Sequence, residues 1–314
     1  MYRILVTARS FAKTPGAHHH YLAASDCAVD LRAPEQPLGS AELAALLPGY
    51  DGVILGLDRC DAAAVAAADR LRVISRYGVG TEAVDLAAAA ARGIAVTITP
   101  NTNNISVAEL AIGLMFALAR NIAYMAEQAH QNSFQRMTGV ELTGKVLGIV
   151  GYGAIGREVA KRGLGLGMRV IAYDPFFKGD WLGADDRTLE ALLTEADVVS
   201  LHLPLTSETR HLINAERLSL MPRHAFLINT ARGGLVDEIA LAEALSSGRL
   251  GGAAMDVFAQ EPPENSPLLR LPNFIATPHA GGATHEAIAR MALLAAQNCV
   301  AVLRGDPCDN IVNQ

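Results

Sequence analysis

Lys145-Val146-Leu147-Gly148-Ile149-Val150 is an apolar run that leads without interruption into Gly151-Tyr152-Gly153-Ala154-Ile155-Gly156, and a helical pattern follows from Arg157 to Leu166. In such a strand, turn and helix the first glycine makes the tight turn. The second lets the backbone approach a pyrophosphate, the third lets the helix pack on the strand, and the helix N-terminus holds the phosphates. The next strand pattern ends at Asp174, 174 − 156 = 18 residues beyond the last glycine. That is the distance expected of a carboxylate that bonds the adenine-ribose hydroxyls and repels a 2′-phosphate. The stretch therefore predicts an NAD site on Gly151, Gly153, Ala154, Ile155, Gly156 and Asp174. Arg157 either touches the pyrophosphate or is an exposed helix-start arginine paired with Glu158 or solvent.

Outward from this unit, short β-branched runs alternate with alanine-rich helical stretches, the pattern of parallel sheets covered on both faces. One series has strands at Arg3 to Ala8, Gly52 to Leu55, Arg72 to Arg76 and Ala95 to Ile98, with helices at Ser40 to Leu47, Asp61 to Asp69 and Glu82 to Arg92. Ser40 and Asp61 read as N-caps. A second series starts at Lys145 to Val150. It continues through Arg169 to Tyr173, Val198 to Leu201, Ala225 to Asn229, Ala253 to Asp256 and Phe274 to Thr277. Between them Ile105 to Gln131 reads as one long helix opened by Asn104, and Ala283 to Leu303 as another that crosses back to the first domain. The expected architecture is two Rossmann-like, doubly wound α/β domains with the active site in the cleft between them. Residues 1–101 with 284–314 form a flavodoxin-like substrate domain, and 102–283 the NAD domain.

The length and composition agree. A chain of 314 residues accommodates about two domains of typical size. With 26 Lys and Arg against 32 Asp and Glu the net charge is −6 and the pI about 5.8, which argues against nucleic acid as a partner. A hydrophobic content of 51% against 18% charged residues excludes a disordered chain. The apolar run Leu110 to Ala119, bounded by Glu109 and Arg120, falls short of the roughly 20 residues of a membrane span. The run after Tyr2-Arg3 is too short for a signal peptide. Cys27, Cys60, Cys299 and Cys308 are widely spaced, as free thiols in a reducing cytoplasm would be.

Three later segments each place a polar residue just past a strand, where ligands of open α/β sheets bind. Arg232 lies in Asn229-Thr230-Ala231-Arg232-Gly233-Gly234, where its fork can hold a carboxylate and polarise a carbonyl. Glu261 precedes Pro262-Pro263, and His279 stands between Pro278 and Ala280-Gly281-Gly282. A carboxylate near His279 would orient its ring and favour its protonated form. After a nucleotide site, an arginine, a glutamate and a histidine supply what hydride transfer to a 2-oxo acid needs.

Across essentially its whole length the sequence resembles the D-2-hydroxyacid dehydrogenase family, and within it the short D-3-phosphoglycerate dehydrogenases. The resemblance is carried by Arg76-Tyr77-Gly78-Val79-Gly80 with Val84-Asp85, by Asn103 and Ser106 to Leu110, and by Gly151 to Gly156. Tyr173-Asp174-Pro175, Leu201-His202-Leu203-Pro204-Leu205, Asn229 to Gly234, Glu261-Pro262 and Pro278-His279 complete it. It implies that Arg232 binds the substrate carboxylate and keto oxygen, that His279 is the acid/base and that Glu261 is its partner. It further implies substrate contacts from Arg76, Tyr77, Gly78, Val79, Gly80 and Asn103, with the Gly78 to Gly80 loop offering backbone donors. Pro204, Thr209, Thr230, Ala231 and Asp256 join Asp174 around the NAD, no metal is required, and a homodimer is built from the region of the long helix after Asn104.

Where phosphoglycerate dehydrogenases place a phosphate-holding cation, this chain has Gly56-Leu57, which leaves Arg76, with Arg9 or Arg59, to serve the 3-phosphate. Hydroxypyruvate, glyoxylate or another anionic 2-oxo acid competes as substrate. An NAD-binding regulatory or corepressor-like protein of the same fold is the reading from a different class. His18-His19-His20 falls in an expected loop after the first strand, as a metal cluster or as part of the cleft, and Trp181 either lies near the adenine edge or packs on the surface.

Overall fold

The computed structural model describes residues 1–313. The chain forms two compact units, Met1–Asn103 with the segment from Ala283 onward, and Asn104–Gly282. In the first unit β1 (Tyr2–Val6), β2 (Cys27–Leu31), β3 (Gly52–Leu55), β4 (Val73–Arg76) and β5 (Ala95–Thr97) form a parallel sheet in the order β2-β1-β3-β4-β5. Central strands of Val, Ile and Leu are buried on both faces, as parallel strands require. One face packs on Leu43, Leu47, Val65 and Ala89, and the other on Phe11, Leu22 and the helix His285–Arg304.

That last helix is long and apolar enough to cross a membrane, but half of it is buried within the protein. Ala292, Ala295, Ala296 and Cys299 lie against Ile4, Val6, Ile54 and Val73. Thr284 caps its start by accepting from Ala287 N, and Gly305, at φ +80°, ends it. The C-terminal segment thus completes the sheet unit that the N-terminal residues begin.

In the second unit β6 (Val146–Val150), β7 (Arg169–Tyr173), β8 (Asp185–Asp186), β9 (Val198–Leu201), β10 (Phe226–Asn229), β11 (Gly252–Met255) and β12 (Phe274–Ala276) stand in the order β12-β11-β10-β9-β6-β7-β8. All pair parallel, and the register puts Val150 level with Leu201, Leu201 with Asn229, Asn229 with Met255, and Met255 with Ala276. The residues that follow these five leave the sheet along one edge, and the order reverses between β6 and β9, where such sheets bind ligands.

Four sequence expectations change. The single helix from Ile105 to Gln131 is two, Asn104–Ala119 and Ile122–His130, bent by 67°. Val140 N donates to Ala119 O (2.8 Å) and Asn121 turns left-handed (φ +53°), so a returning loop segment takes the carbonyl that would continue the helix. Ser40 is not an N-cap: Gly39 occupies that place, and the Ser40 hydroxyl donates instead to Asp61, which does cap its own helix. The triple histidine lies in the helix Ala17–Ala23, where His18 is buried with Nε2 3.1 Å from Phe11 O and its ring edge-on to Phe11, so it is a core side chain and no part of a cleft-lining loop. No cluster of three metal-ligating side chains occurs among the described residues. Finally, β2 and β8 had no strand signal, because one is a half-exposed edge and the other a pair of exposed aspartates.

Candidate active site

Gly151 and Gly156 of the Gly151–Gly156 turn are required by the surrounding backbone. Gly151 has φ +94° and a Cβ there would lie 2.6 Å from His202 O, while one on Gly156 would lie 2.1 Å from Gly151 O. Nothing stands within 4 Å of the Cβ direction of Gly153, which is the exposed N-cap of the helix Ala154–Gly165 and provides no side-chain cap. The first amides of that helix, including Ala154 and Ile155, are therefore open to an anion. This cradle fits a dinucleotide pyrophosphate.

Asp174 is fixed by the same loop: Oδ2 accepts from Tyr152 N (2.9 Å) and Oδ1 from Phe176 N (3.0 Å). Each carboxylate oxygen has two acceptor sites, so one on each remains for a ribose hydroxyl. Arg157 is exposed, with its guanidinium carbon 6.0 Å from the Phe177 ring centre, and Glu158 pairs with Arg162 instead. Trp181 is half-buried behind the loop, where its carbonyl accepts from the Tyr152 hydroxyl (2.5 Å) and its ring packs on Tyr152 and Phe177. Thr209 is tied within its own turn, accepting from Thr206 N (2.7 Å) and donating to Pro204 O (2.8 Å). Thr230 is 7% exposed and its hydroxyl has no protein partner, a donor that a bound group can satisfy.

Past β10, buried Asn229 builds the arginine turn, with Nδ2 donating to Arg232 O (2.9 Å) and Oδ1 accepting from Ala231 N (3.1 Å). Arg232 is half-buried and its Nη1 donates to Ala231 O (2.7 Å). At Gly233 a Cβ would fall 1.9 Å from the carbonyl carbon of Phe258, so only glycine lets the arginine turn seat on the glutamate loop. In that loop Glu261 Oε1 accepts from Phe258 N (3.0 Å), and Oε2 meets His279 Nδ1 at 2.7 Å.

The carboxylate accepts, so Nδ1 donates and Nε2 is the nitrogen that titrates. The hydrogen bond to Glu261 raises the pKa of His279 above the usual histidine value. Burial pushes Glu261 upward, but the hydrogen bond and charge of His279 outweigh it and the net shift is downward. Asp256, expected beside the dinucleotide, lies 1% exposed beneath His279. Its oxygens accept from Thr277 Oγ1 (2.6 Å), Ala280 N (2.7 Å) and Gly281 N (2.8 Å). Together with the bond from His279 N to Asp256 O (2.8 Å) these hold His279 at φ +53°. Asp256 is therefore a support of the histidine loop, and both it and Asn229 are buried polar side chains at or just past strand ends.

In the first unit, Tyr77 packs edge-on to Phe11 and its hydroxyl accepts from Ser10 (3.2 Å), so its side chain belongs to the packing under the loop. Gly78, at φ +139°, exchanges hydrogen bonds with Thr99, whose Oγ1 accepts from Gly78 N (2.9 Å) and whose N donates to Gly78 O (2.9 Å). Val79 is exposed and Gly80 half-buried in this loop. Asn103 is half-buried at the end of this unit.

Residues 112–281 match the family profile of the D-isomer-specific 2-hydroxyacid dehydrogenase NAD-binding domain. The chain belongs to that family. The matched region is a dinucleotide-binding domain by its description, and the open Gly153 cradle lies within it. A D-3-phosphoglycerate dehydrogenase of Methanocaldococcus jannaschii is 44% identical over 254 residues, 78% of this chain and 48% of that protein. This chain thus spans about half the length of that relative. A glyoxylate reductase of Korarchaeum cryptofilum is 40% identical over 91% of this chain and 90% of its own length. The crystal structure of a Thermus thermophilus protein aligns over 99% of both chains with a TM-score of 0.91 at 42% identity.

Proposed function

We propose that this dehydrogenase interconverts a short 2-oxo acid and its D-2-hydroxy acid with NAD(H), His279 being the acid/base. The observation that carries the reading is the His279–Glu261 pair at 2.7 Å on loops seated against the Arg232 turn. The bound dinucleotide supplies or accepts the hydride. In reduction, protonated His279 delivers its Nε2 proton to the forming hydroxyl oxygen, and Arg232 holds the carboxylate and polarises the carbonyl. In oxidation, neutral Nε2 takes the hydroxyl proton. Glu261 stabilises the imidazolium and fixes the ring, as a carboxylate partner does in other acid/base pairs. The Asp174 carboxylate repels a 2′-phosphate, which favours NAD over NADP.

Exposed Ile122, Phe134, Met137 and Val140 crowd the segment around the Ile122–His130 helix, an apolar concentration of the kind that marks subunit contacts. Homodimerisation through this region follows, and free cysteines suit the cytoplasm. Light scattering should give about 2 × 33.1 kDa, falling to one chain in a Phe134→Ser, Met137→Ser variant.

The activity test is NADH oxidation against glyoxylate, hydroxypyruvate, pyruvate and 3-phosphohydroxypyruvate, with NADPH as control. Turnover of at least one acid, with a roughly 10²- to 10⁴-fold loss of kcat in His279→Gln at unchanged NADH affinity, is the expected result. Near-wild-type turnover in His279→Gln removes the assignment.

A further inference from the structure

Ala259, Gln260 and Glu261 are all exposed, so core packing does not set the place of the carboxylate that meets His279. The backbone on either side of Phe258 sets it. The Phe258 ring is buried and stands edge-on to Phe274, 6.3 Å between ring centres. Its N–H donates to Glu261 Oε1 (3.0 Å), the oxygen that His279 does not use. The next N–H, that of Ala259, donates to Glu238 Oε1 (2.7 Å), from a residue 21 positions away. Two consecutive amides of this loop are thus each held by a carboxylate, one from the loop itself and one from outside it.

Glu238 is fixed by the helix that it opens, Glu238–Ser246. Asp237 caps that helix, accepting from Ile239 N and Ala240 N (both 3.1 Å), and its own N–H donates to Ile213 O (2.9 Å). Ala240, Leu241 and Leu245 root the helix in the core. With Asp237 serving the helix amides, the half-buried Glu238 carboxylate is left to reach the loop, at a helix start where the dipole favours negative charge. Among the described residues its one side-chain hydrogen bond is the one from Ala259.

We propose that Glu238 is a positioning residue that holds the Ala259 amide and, through it, keeps the Glu261 carboxylate where it orients His279. The kinetic side of this rests on the dehydrogenase reading above. A reacting side chain is only as well placed as the groups that hold its loop. When the Ala259 N–H is released, the Phe258–Ala259 peptide is free to turn and the chain as far as Glu261 turns with it. The carboxylate then spends less time at the 2.7 Å contact that raises the His279 pKa. The duty needs an acceptor oxygen at one reach from the helix. Glutamine offers such an oxygen, aspartate is one methylene too short, and alanine has none.

The experiment follows the titration of His279 by histidine NMR on the full chain, with His279→Gln identifying its signal, in the wild type, Glu238→Ala, Glu238→Asp and Glu238→Gln. The pH dependence of glyoxylate and hydroxypyruvate reduction by NADH is measured alongside. In Glu238→Ala and Glu238→Asp the His279 midpoint should move down by about half a pH unit or more, toward the ordinary histidine value. Their kcat should fall by about three- to tenfold, with the NADH dissociation constant unchanged. Glu238→Gln should restore most of both losses, and in a Glu261→Gln background Glu238→Ala should cost nothing further. An unmoved midpoint in the alanine and aspartate variants overturns the proposal. So does a glutamine variant as impaired as the alanine one, or a full additional loss in the Glu261→Gln background. Should Glu238→Ala fail to fold, Glu238→Asp, which keeps the carboxylate at the helix start, decides. If the wild type binds NADH but reduces no 2-oxo acid, the dehydrogenase reading fails, and the His279 midpoint still tests whether Glu238 holds Glu261.

Discussion

Gly233 and Phe258 approach so closely that a Cβ on the glycine would lie 1.9 Å from the Phe258 carbonyl carbon and 2.3 Å from Ala259 N. The obstacle is backbone, which cannot rotate aside. The contact couples the turn that carries Arg232 to the loop that carries Glu261, and so sets the spacing of two of the three groups proposed to do the chemistry. Gly233→Ala should destabilise the protein by about 1–3 kcal/mol or more, measurable by urea unfolding. It should also lower kcat/KM beyond what the lost stability explains, while Gly248→Ala, at an open surface turn, should leave kcat/KM unchanged.

The His279–Glu261 pair predicts a pH profile. Because the bond to Glu261 raises the His279 pKa, the protonated form needed for reduction persists above the ordinary histidine range, and the reduction rate should fall only as pH rises through the raised value. In Glu261→Gln the fall should move down toward the unperturbed value near 6.5. The pair's contribution to stability has two edges. The histidine part is lost as pH rises through its raised pKa, and the glutamate part as pH falls through its lowered one. A pH–rate limb that does not move in Glu261→Gln would show that Glu261 does not tune His279.

His202 predicts the opposite sign. Its Nε2 lies 2.8 Å from Ser200 Oγ, its Nδ1 is sealed without a partner, and burial pushes its pKa down to about 3. The unfolded chain takes up a proton near 6.5 that the folded one refuses, so stability should decline as pH falls from there toward 3. At pH 5 the difference is up to about 2 kcal/mol. A His202→Asn variant should lose less stability between pH 7 and pH 5 than the wild type, read as the difference between their urea midpoints.

Asp174 predicts cofactor behaviour. Removing its carboxylate in Asp174→Ser takes away charge-assisted bonds to the ribose, each worth about 1.5–3 kcal/mol. NADH affinity should drop by about tenfold or more, and the discrimination against NADPH should narrow. Fluorescence titration with the two dinucleotides measures both, and an NADPH affinity in the wild type equal to that for NADH would contradict the role given to this carboxylate.

Much of this protein is readable along the chain because the signals are local. A glycine turn between an apolar strand and a helix, with an acid at the end of the next strand, is a matter of backbone geometry and period. The chain therefore announces its dinucleotide unit and both series of parallel strands, and it places Arg232, Glu261 and His279 just past strand ends. The tertiary structure decided what depends on distant partners. Asn121 bends a helix because Val140 returns to take its last carbonyl, and β2 becomes a strand only because β1 offers it an edge. Asp256 turns inward because Thr277, Ala280 and Gly281 bring three donors to it. Arg76 has the composition of a substrate ligand but is buried as a clamp, since the carbonyls of Leu55 and Gly80 reach it before solvent does. A side chain's type is written in the sequence, whereas the group that satisfies it comes from residues far along the chain, and that choice exists only once the chain has folded.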